Sequence, residues 1–191
     1  MEEHADIGLI AACQQGDARA FRRVFDLYRD RVYGLCRHMA GNEHDAEDWA
    51  QESFVQAFKG IGSFRAEASF GTWIYRIAAN CCLAHRRRQR PRFQPLDEVV
   101  EAGGAMPLQR PPAAGGDPEK QLLRKELLKR AEAAVVQLPE NQRLVFVLAT
   151  QMGLRYREIG EIVGASEDAV KVRVHRARKR VRDALKPYLE S

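Results

Sequence analysis

Apolar residues recur at helical spacing along most of the chain, and this pattern predicts helices rather than strands. Gly16-Asp17 precedes the first long amphipathic segment, and Gly41-Asn42 ends that segment and caps the next. The apolar stripe of this segment is Phe21, Val24, Phe25, Tyr28, Val32, Leu35, Cys36 and Met39. Further helices are predicted at 43–59 and from Phe70 into the basic run that begins at His85. Residues 1–92 are therefore predicted to form a helical domain.

The composition of the chain changes after residue 92. Residues 93–117 are rich in proline and glycine and have no sustained apolar period, which is typical of a flexible linker. Asp117 followed by Pro118 then predicts the start of a helix, because a capping residue precedes a proline. Its apolar stripe is Leu123, Leu127, Ala131, Ala134 and Leu138, and Pro139 opens another helix through Leu148. The predicted fold class is all-α, with helical domains at 1–92 and 118–191.

The strongest pattern lies in the last third of the chain. A short helix is predicted at 156–163, where Gly160 lets another backbone approach and Gly164 favours a left-handed helix end. Ser166 predicts the N-cap of a second helix, whose far side carries mostly lysine and arginine. Its buried stripe is Val170, Val174, Ala177, Val181 and Leu185. This arrangement predicts a helix-turn-helix, which fits the DNA major groove. A solvated amphipathic helix without a partner is the alternative interpretation.

Charge and composition narrow the class of protein. The 191 residues carry a net charge of +5 and a pI near 9.2, which favours a polyanionic partner. No apolar run is long enough to cross a membrane. The N-terminus lacks the basic start of a secretory signal, so we expect no membrane insertion and a cytoplasmic location.

The cysteines offer only weak signs of chemistry. Cys13, Cys36, Cys81 and Cys82 show neither CxxC spacing nor the density of a disulfide scaffold. Cys81 and His85 lie one helical turn apart, which would suit a weak metal or redox site, but buried thiols on helices are commoner. No nucleophile elbow, phosphate-binding glycine loop or HExxH motif is present. We therefore predict no catalytic residues, no metal and no cofactor, and keep thiol or metal sensing as a separate hypothesis.

An acidic segment stands out inside this basic chain. Asp48, Gln51 and Glu52 are spaced so that they share one face of the helix predicted at 43–59. An acidic face that also bears an amide favours docking onto a basic protein surface rather than onto DNA. An ordinary solvated helix face is the alternative.

An aromatic segment with arginines follows the acidic one. Its members are Phe64, Arg65, Phe70, Trp73, Tyr75 and Arg76. Aromatic faces beside guanidinium groups can hold unstacked bases of single-stranded nucleic acid, and Asn80 adds a donor and an acceptor for a base edge. Phe70 and Tyr75 are more simply interpreted as core. The arginines from Arg86 to Arg92 suit phosphate contacts at the end of the helix.

Taken together, these motifs resemble the extracytoplasmic-function (ECF) sigma factors of the bacterial sigma-70 family. Residues 45–54 (DAEDWAQESF) are similar to the region 2.2 signature of that family, and residues 64–80 are similar to regions 2.3–2.4. Residues 138–143 (LPENQR) and the helix-turn-helix are similar to region 4. The resemblance covers nearly the whole chain apart from the predicted linker, in the same order.

The resemblance implies a subunit that brings core RNA polymerase to a promoter, and not an enzyme. It implies that Asp48, Gln51 and Glu52 contact the β′ coiled coil of the polymerase, with the β subunit as a further partner. It implies a −10 element site, in which a flipped base is captured, formed by Phe64, Arg65, Trp73, Arg76, Asn80, Arg86 and Arg87. It implies a −35 element site formed by Lys171, Val172, Arg173, His175, Arg176, Arg178 and Lys179. Control by an anti-sigma factor in response to a stress or environmental signal is also implied.

The division of labour expected within the −35 site follows from the same resemblance. Lys171, His175 and Arg176 are expected to read bases, whereas Arg173, Arg178 and Lys179 are expected to position phosphates. Two residues depart from the family pattern: Trp49 replaces a smaller aliphatic residue, and Val172 brings an apolar group to the reading face, where it suits a thymine methyl. The competing hypothesis is a stand-alone helix-turn-helix regulator whose N-terminal domain senses or dimerises.

Overall fold

The computed structural model describes residues 7–89 and 118–189, and these ranges are helical apart from short connections. The helices are α1 (Ile7–Gln14), α2 (Ala18–Ala40), α3 (Glu43–Gly60), α4 (Phe70–Gln89), α5 (Pro118–Val136), α6 (Glu140–Thr150), α7 (Tyr156–Val163) and α8 (Glu167–Leu189). A single 3₁₀ turn, Ile61–Ser63, follows α3. The described residues contain no strand, and the predicted all-α class is confirmed. The predicted linker at 93–117 lies outside the described residues.

Local capping interactions explain the helix boundaries of the first lobe, residues 7–89. The Asp17 carboxylate accepts hydrogen bonds from the backbone N–H groups of Arg19 and Ala20, which satisfies donors at the start of α2. Gly41 ends α2 with a φ of +86°, which glycine adopts without steric cost. The Asn42 side chain then accepts from the Asp45 N–H to begin α3. Each of these boundaries was predicted from the same residues.

The core of the first lobe is formed where α2, α3 and α4 pack together. Fully buried side chains from the three helices include Val24, Val32, Leu35, Met39, Trp49, Ile74 and Ala78. The predicted stripe of α2 is correct except at Phe25, which is 38% exposed and packs against Phe54 with ring centroids 4.7 Å apart and the rings tilted by 58°. Phe25 lies at the rim of the α2–α3 contact, where packing covers only part of its ring.

The second lobe, residues 118–189, packs α5, α6 and α7 against α8. Val170, Val174 and Ala177 are fully buried, as the stripe of α8 predicts, whereas Val181 and Leu185 are only half-buried. The stripe predicted for α5 is out of phase: Glu132 and Val135 are its buried residues. The predicted Leu127, Ala131 and Ala134 are half-buried, Leu138 is buried beyond the helix end, and the Leu123 side chain lies outside the described residues. Because α5 contacts both α8 and α2, its buried side is turned by about one residue.

The two lobes contact each other through α4 with α7 and through α2 with α6. The Arg143 guanidinium on α6 donates to the Met39 carbonyl at the end of α2, over 3.5 Å. The Met152 side chain lies near Gly34, at the same contact. One side of α4 therefore faces the second lobe.

Candidate nucleic-acid and protein interfaces

The tight turn of the helix-turn-helix depends on two glycines. A Cβ atom on Gly160 would lie 2.6 Å from the Ala165 carbonyl oxygen, so only glycine permits this approach of the two backbones. Gly164 adopts a φ of +64°, and the Ala165 N–H donates to the Gly160 carbonyl at 3.0 Å. The Ser166 hydroxyl accepts from the Ala169 N–H to begin α8. The turn therefore has the close approach and the cap that the sequence predicts.

The outer face of α8 is exposed and strongly basic. Its exposed predicted residues are Lys171, Val172, His175, Arg176, Arg178 and Lys179. Arg173 is half-buried and lies closer to the body of the lobe, at the edge of this face. Val172 is 47% exposed and places an aliphatic side chain on this face. All seven predicted residues reach the surface, and the one apolar group lies among the cations.

The predicted acidic residues of α3 differ in their surroundings. Asp48 and Gln51 are exposed, and the Asp48 carboxylate lies 3.7 Å from the His44 imidazole. Glu52 is half-buried because it turns toward α4, where its Oε2 lies 2.6 Å from His85 Nε2. The hydrogen bond with His85 lowers the pKa of Glu52 below its usual value, although partial burial opposes the shift. Asp48 and Gln51 thus form the open part of this face, and Glu52 connects it to α4.

An apolar groove lies beside this acidic face, between α2 and α3. Its walls include Phe25, Tyr33, Ala50, Phe54, Val55 and Phe58, with Arg29, Asp30, Glu47 and Gln51 at the edges. Val55 is 43% exposed, and Phe25 is 38% exposed. This groove is not apparent from the sequence, because the spacing of Phe25 predicts a core position and Val55 stands in no predicted site. The groove makes the α2–α3 surface partly apolar and partly acidic, which suits a protein partner.

The aromatic residues form a compact cluster at the start of α4. The rings of Phe64, Phe70 and Trp73 are packed with centroid separations of 5.3–5.4 Å. Phe70 and Tyr75 are buried, so the prediction that both belong to the core is confirmed. Phe64 and Trp73 are half-buried and keep part of each ring at the surface.

The loop that carries Phe64 is held by interactions at both ends. The Gln14 amide donates to the carbonyls of Ile61 and Phe64, at 3.1 and 3.0 Å. Ser69 accepts from the Thr72 N–H to start α4. Between these anchors, Ala66 has a φ of +56°, the only positive φ at a non-glycine among the described residues. The loop is therefore anchored on both sides, with exposed residues including Arg65 between the anchors.

The remaining predicted −10 residues are divided between two sides of α4. Asn80 and Arg87 are exposed, and Arg76 is half-buried. Because Trp73 and Asn80 are two helical turns apart, they share one face of α4. Arg86 is half-buried and lies near Arg143 of the second lobe. Burial, and secondarily the charge of Arg86, lower the pKa of Arg143 to about 10. Arg90 and Arg92 lie outside the described residues.

All four cysteines are buried and none forms a disulfide bond, as expected for thiols on helices. The Sγ atoms of Cys36 and Cys82 lie 3.7 Å apart across the α2–α4 contact. Cys81 lies instead beside α3, near Glu52 and His85. The sequence pairs Cys81 with His85 but gives no sign of Glu52, because that contact exists only after α3 and α4 pack.

Among the described helices, none has the length and apolar content to cross a membrane.

Comparison with known proteins connects these surfaces to one family. Residues 24–92 match the family model for Sigma-70 region 2, and residues 128–181 match the model for Sigma-70, region 4. The chain is 37% identical over 177 residues to the "ECF RNA polymerase sigma factor SigW" of Bacillus subtilis (strain 168), covering 93% of this chain and 95% of that protein. It is 32% identical over 191 residues to the "RNA polymerase sigma-H factor" of Pseudomonas aeruginosa, covering 99% and 98%.

Solved structures support the same fold at lower sequence identity. The structure of CnrH in complex with the cytosolic domain of CnrY aligns with a TM-score of 0.67 at 23% identity, covering 94% of this chain and 96% of that chain. The sigma factor RpoE from Bartonella quintana, solved with the anti-sigma factor NepR, aligns with a TM-score of 0.66 at 21% identity, covering 88% and 98%. With the region 2 and region 4 matches in order and relatives aligned over nearly their whole length, the chain belongs to the ECF sigma factors of the sigma-70 family.

Proposed function

We propose that this chain directs core RNA polymerase to a promoter by using three separate surfaces. The observation that carries the proposal is their presence on one chain: an acidic and apolar α2–α3 surface, an aromatic loop before α4, and the basic face of α8. A protein that only bound duplex DNA would need the basic face of α8 and neither of the other two surfaces. The chain acts as an initiation factor, and the polymerase carries out RNA synthesis.

The α2–α3 surface is proposed to bind core polymerase through its β′ coiled coil, with the β subunit as a further contact. Asp48 and Gln51 are exposed on α3, and Glu52 lies one turn beyond Asp48. The neighbouring groove, with exposed Phe25 and Val55, offers apolar area beside these acids. A basic coiled coil with apolar side chains along one edge would complement both properties.

The aromatic loop and α4 are proposed to capture the −10 element as single-stranded DNA. The half-buried rings of Phe64 and Trp73 offer faces for stacking, and Asn80 lies on the same helix face as Trp73. Arg65, Arg76 and Arg87 would neutralise nearby phosphates. Arg86 joins them only when the lobes separate, because in the free chain it lies near Arg143.

The exposed face of α8 is proposed to read the −35 element in the major groove. Lys171, His175 and Arg176 offer donors to base edges, and Val172 offers an apolar contact to a thymine methyl. Arg173, Arg178 and Lys179 would contact phosphates and set the orientation of the helix, a role that carries no sequence information.

An anti-sigma factor is proposed to hold the chain inactive until a stress or environmental signal arrives. Two solved structures of similar fold are complexes of this kind: CnrH with the cytosolic domain of CnrY, and RpoE with NepR. The α2–α3 groove is an apolar surface that such a partner would cover in competition with polymerase.

Initiation from linear DNA in a purified system tests the proposal. Core polymerase with the purified chain should start RNA at discrete sites on genomic fragments, and core alone should not. Arg176→Ala should weaken the response to −35 sequence by about 1–3 kcal/mol if the guanidinium makes a bidentate base contact. Asn80→Ala should impair −10 recognition or melting and leave the −35 preference unchanged. A chain that binds duplex promoter tightly alone and never supports initiation would instead be a stand-alone regulator.

A further inference from the structure

Three potential metal ligands meet between α3 and α4. They are the Glu52 carboxylate on α3 and the Cys81 thiol and His85 imidazole on α4, and one ligand atom from each lies within 4.8 Å of the other two. Cys81 and His85 share a face of α4 because they are one turn apart. Glu52 reaches them from the facing helix, so the three ligands come from two rigid elements rather than from a loop.

The separations among these atoms fit a small cation of the zinc type. Zinc lies about 2.0–2.3 Å from nitrogen, oxygen and sulfur ligands, so tetrahedral ligand atoms are roughly 3.3–3.8 Å apart. His85 Nε2 and Glu52 Oε2 are now 2.6 Å apart and hydrogen-bonded, so they must separate by roughly 1 Å to admit an ion. Side-chain rotation supplies a movement of that size without moving either helix.

The surroundings of the three ligands already restrict their orientation. The Trp49 indole stacks on the His85 ring with centroids 5.2 Å apart and an interplanar angle of 18°. The Gln56 amide donates to Glu52 Oε1 at 2.9 Å, which leaves Oε2 directed at His85. Cys81 is 3% exposed and is held with its Sγ 3.5 Å from the Trp49 carbonyl oxygen. Metal sites typically use outer contacts of this kind to orient their ligands.

We propose that Glu52, Cys81 and His85 bind a zinc ion, with water completing the tetrahedron. One thiolate, one imidazole and one carboxylate form the mixed donor set that zinc accepts. The fourth position faces solvent, since the side chains of Glu52 and His85 are 42% and 23% exposed. On binding, the Cys81 S–H bond breaks, a sulfur–zinc bond forms and one proton passes to water. Glu52 binds as the carboxylate and His85 as the neutral imidazole through Nε2.

Two local features oppose binding and set its selectivity. The buried Cys81 thiol must lose its proton to bind a metal, so only a cation with high affinity for sulfur will bind there. Arg88 is close enough to Glu52 to lower the pKa of that carboxyl and repels a cation there. Magnesium and calcium, which prefer oxygen ligands, are therefore excluded.

Zinc at this position would also affect the polymerase surface. The ion would hold Glu52 against α4 and change the charge beside Asp48, so zinc should weaken binding to core polymerase. This consequence rests on the proposed polymerase contact, whereas zinc binding itself does not. Zinc binding is measured on the purified chain alone. A failure of the zinc proposal is therefore distinguishable from a failure of the proposed polymerase contact.

Cobalt and zinc titrations of the full purified chain test the site. The protein is kept reduced with a phosphine, because thiol reductants bind zinc. Cobalt(II) should produce the visible absorption bands of a tetrahedrally coordinated ion and a near-ultraviolet thiolate-to-metal charge-transfer band. One equivalent of zinc should remove both sets of bands. Glu52→Gln, Cys81→Ser and His85→Gln should each weaken zinc at least about tenfold in competition with a chromophoric chelator.

Cys82→Ser is the matched control, since the Cys82 thiol faces Cys36 and not the proposed site. It should keep the cobalt spectrum and the zinc affinity, and circular dichroism of every variant without metal should show a folded chain. Glu52→Gln tests the site even if Cys81→Ser unfolds, because Glu52 is partly exposed. The proposal is overturned if equimolar zinc does not bind, or if the thiolate band survives in Cys81→Ser and disappears in Cys82→Ser.

Discussion

Replacing Gly160 by alanine tests whether a single close approach defines the helix-turn-helix. The added Cβ would lie 2.6 Å from the Ala165 carbonyl oxygen, whereas real Cβ atoms essentially never come within 3.0 Å of a neighbour. The position of this Cβ is fixed by the Gly160 backbone, and the oxygen it meets belongs to the Ala165 backbone. The Ala165 N–H also donates a hydrogen bond to the Gly160 carbonyl oxygen. A rotamer change cannot relieve the clash, so α7 and the turn must move apart.

The expected change in stability has a sign that distinguishes the clash from helix propensity. Alanine in a helix interior is favoured over glycine by about 1 kcal/mol, so without the clash Gly160→Ala should stabilise the chain. Overpacking that forces backbone movement costs about 1–3 kcal/mol. Because neither backbone can relieve the clash by rotating a side chain, we expect the cost to lie in the upper part of that range, about 2–3 kcal/mol. The net loss in the free energy of unfolding of the second lobe should then be roughly 1–2 kcal/mol. Gly34→Ala provides the opposite case, because its Cβ would only meet the Met152 Cε at 3.9 Å.

Urea unfolding followed by tryptophan fluorescence and by circular dichroism distinguishes the stability of the first lobe from that of the second. Both tryptophans, Trp49 and Trp73, lie in the first lobe, whereas far-ultraviolet circular dichroism reports helices in both. Gly160→Ala should shift the dichroism transition to lower urea with a smaller effect on fluorescence, and Gly34→Ala should shift fluorescence to higher urea. The reasoning is refuted if Gly160→Ala is as stable as the parent or more stable. A loss of −35-dependent initiation should accompany the shift, since α8 is oriented through this turn.

Three further substitutions test other features of the fold. Arg143→Met removes a buried guanidinium that donates to the carbonyls of Val136, Leu138 and Met39, and unfolding measurements should show a loss of about 2–4 kcal/mol. Asp17→Ala removes the N-cap of α2, and thermal unfolding should show a loss of about 0.5–2 kcal/mol. Burial raises the pKa of Glu132 from 4.5 to about 7, so the stability of the parent should fall as pH rises between those values. Glu132→Gln should flatten that dependence and be the more stable chain at pH 8; an unchanged slope would contradict this assignment.

Sequence predicted those parts of the structure that are determined by neighbours along the chain. Asp17, Gly41 and Gly164 mark helix ends because caps and left-handed residues act within one turn, and Gly160 follows the same local logic. The exposed cations of α8 were equally predictable, since their spacing opposes that of the buried valines. The family resemblance then supplied functional roles that no spacing could provide.

The features that sequence did not predict all depend on how helices pack. Phe25 has core spacing, but it lies at the rim of the α2–α3 contact and so forms part of a groove. Glu132 reads as a polar position, yet α5 is pressed between α8 and α2 and turns this carboxyl inward. Glu52 was assigned to the acidic face, and only the packing of α3 on α4 brings it to His85. Each case requires the distance between residues far apart in sequence.

The contact between the lobes contains charges that disfavour it, and this has a consequence for promoter binding. The Glu132 carboxylate is buried near Arg37 of the first lobe and accepts no hydrogen bond from the described residues, while Arg86 lies near Arg143 with like charge. Buried charges without full compensation reduce the stability of an interface relative to an apolar one. The names of the −35 and −10 elements place them about 25 base pairs apart, which is roughly 85 Å of duplex at 3.4 Å per pair. If the two lobes bind these elements as proposed, lobes that touch cannot span that distance. A contact with these electrostatic costs then suits lobes that separate on polymerase.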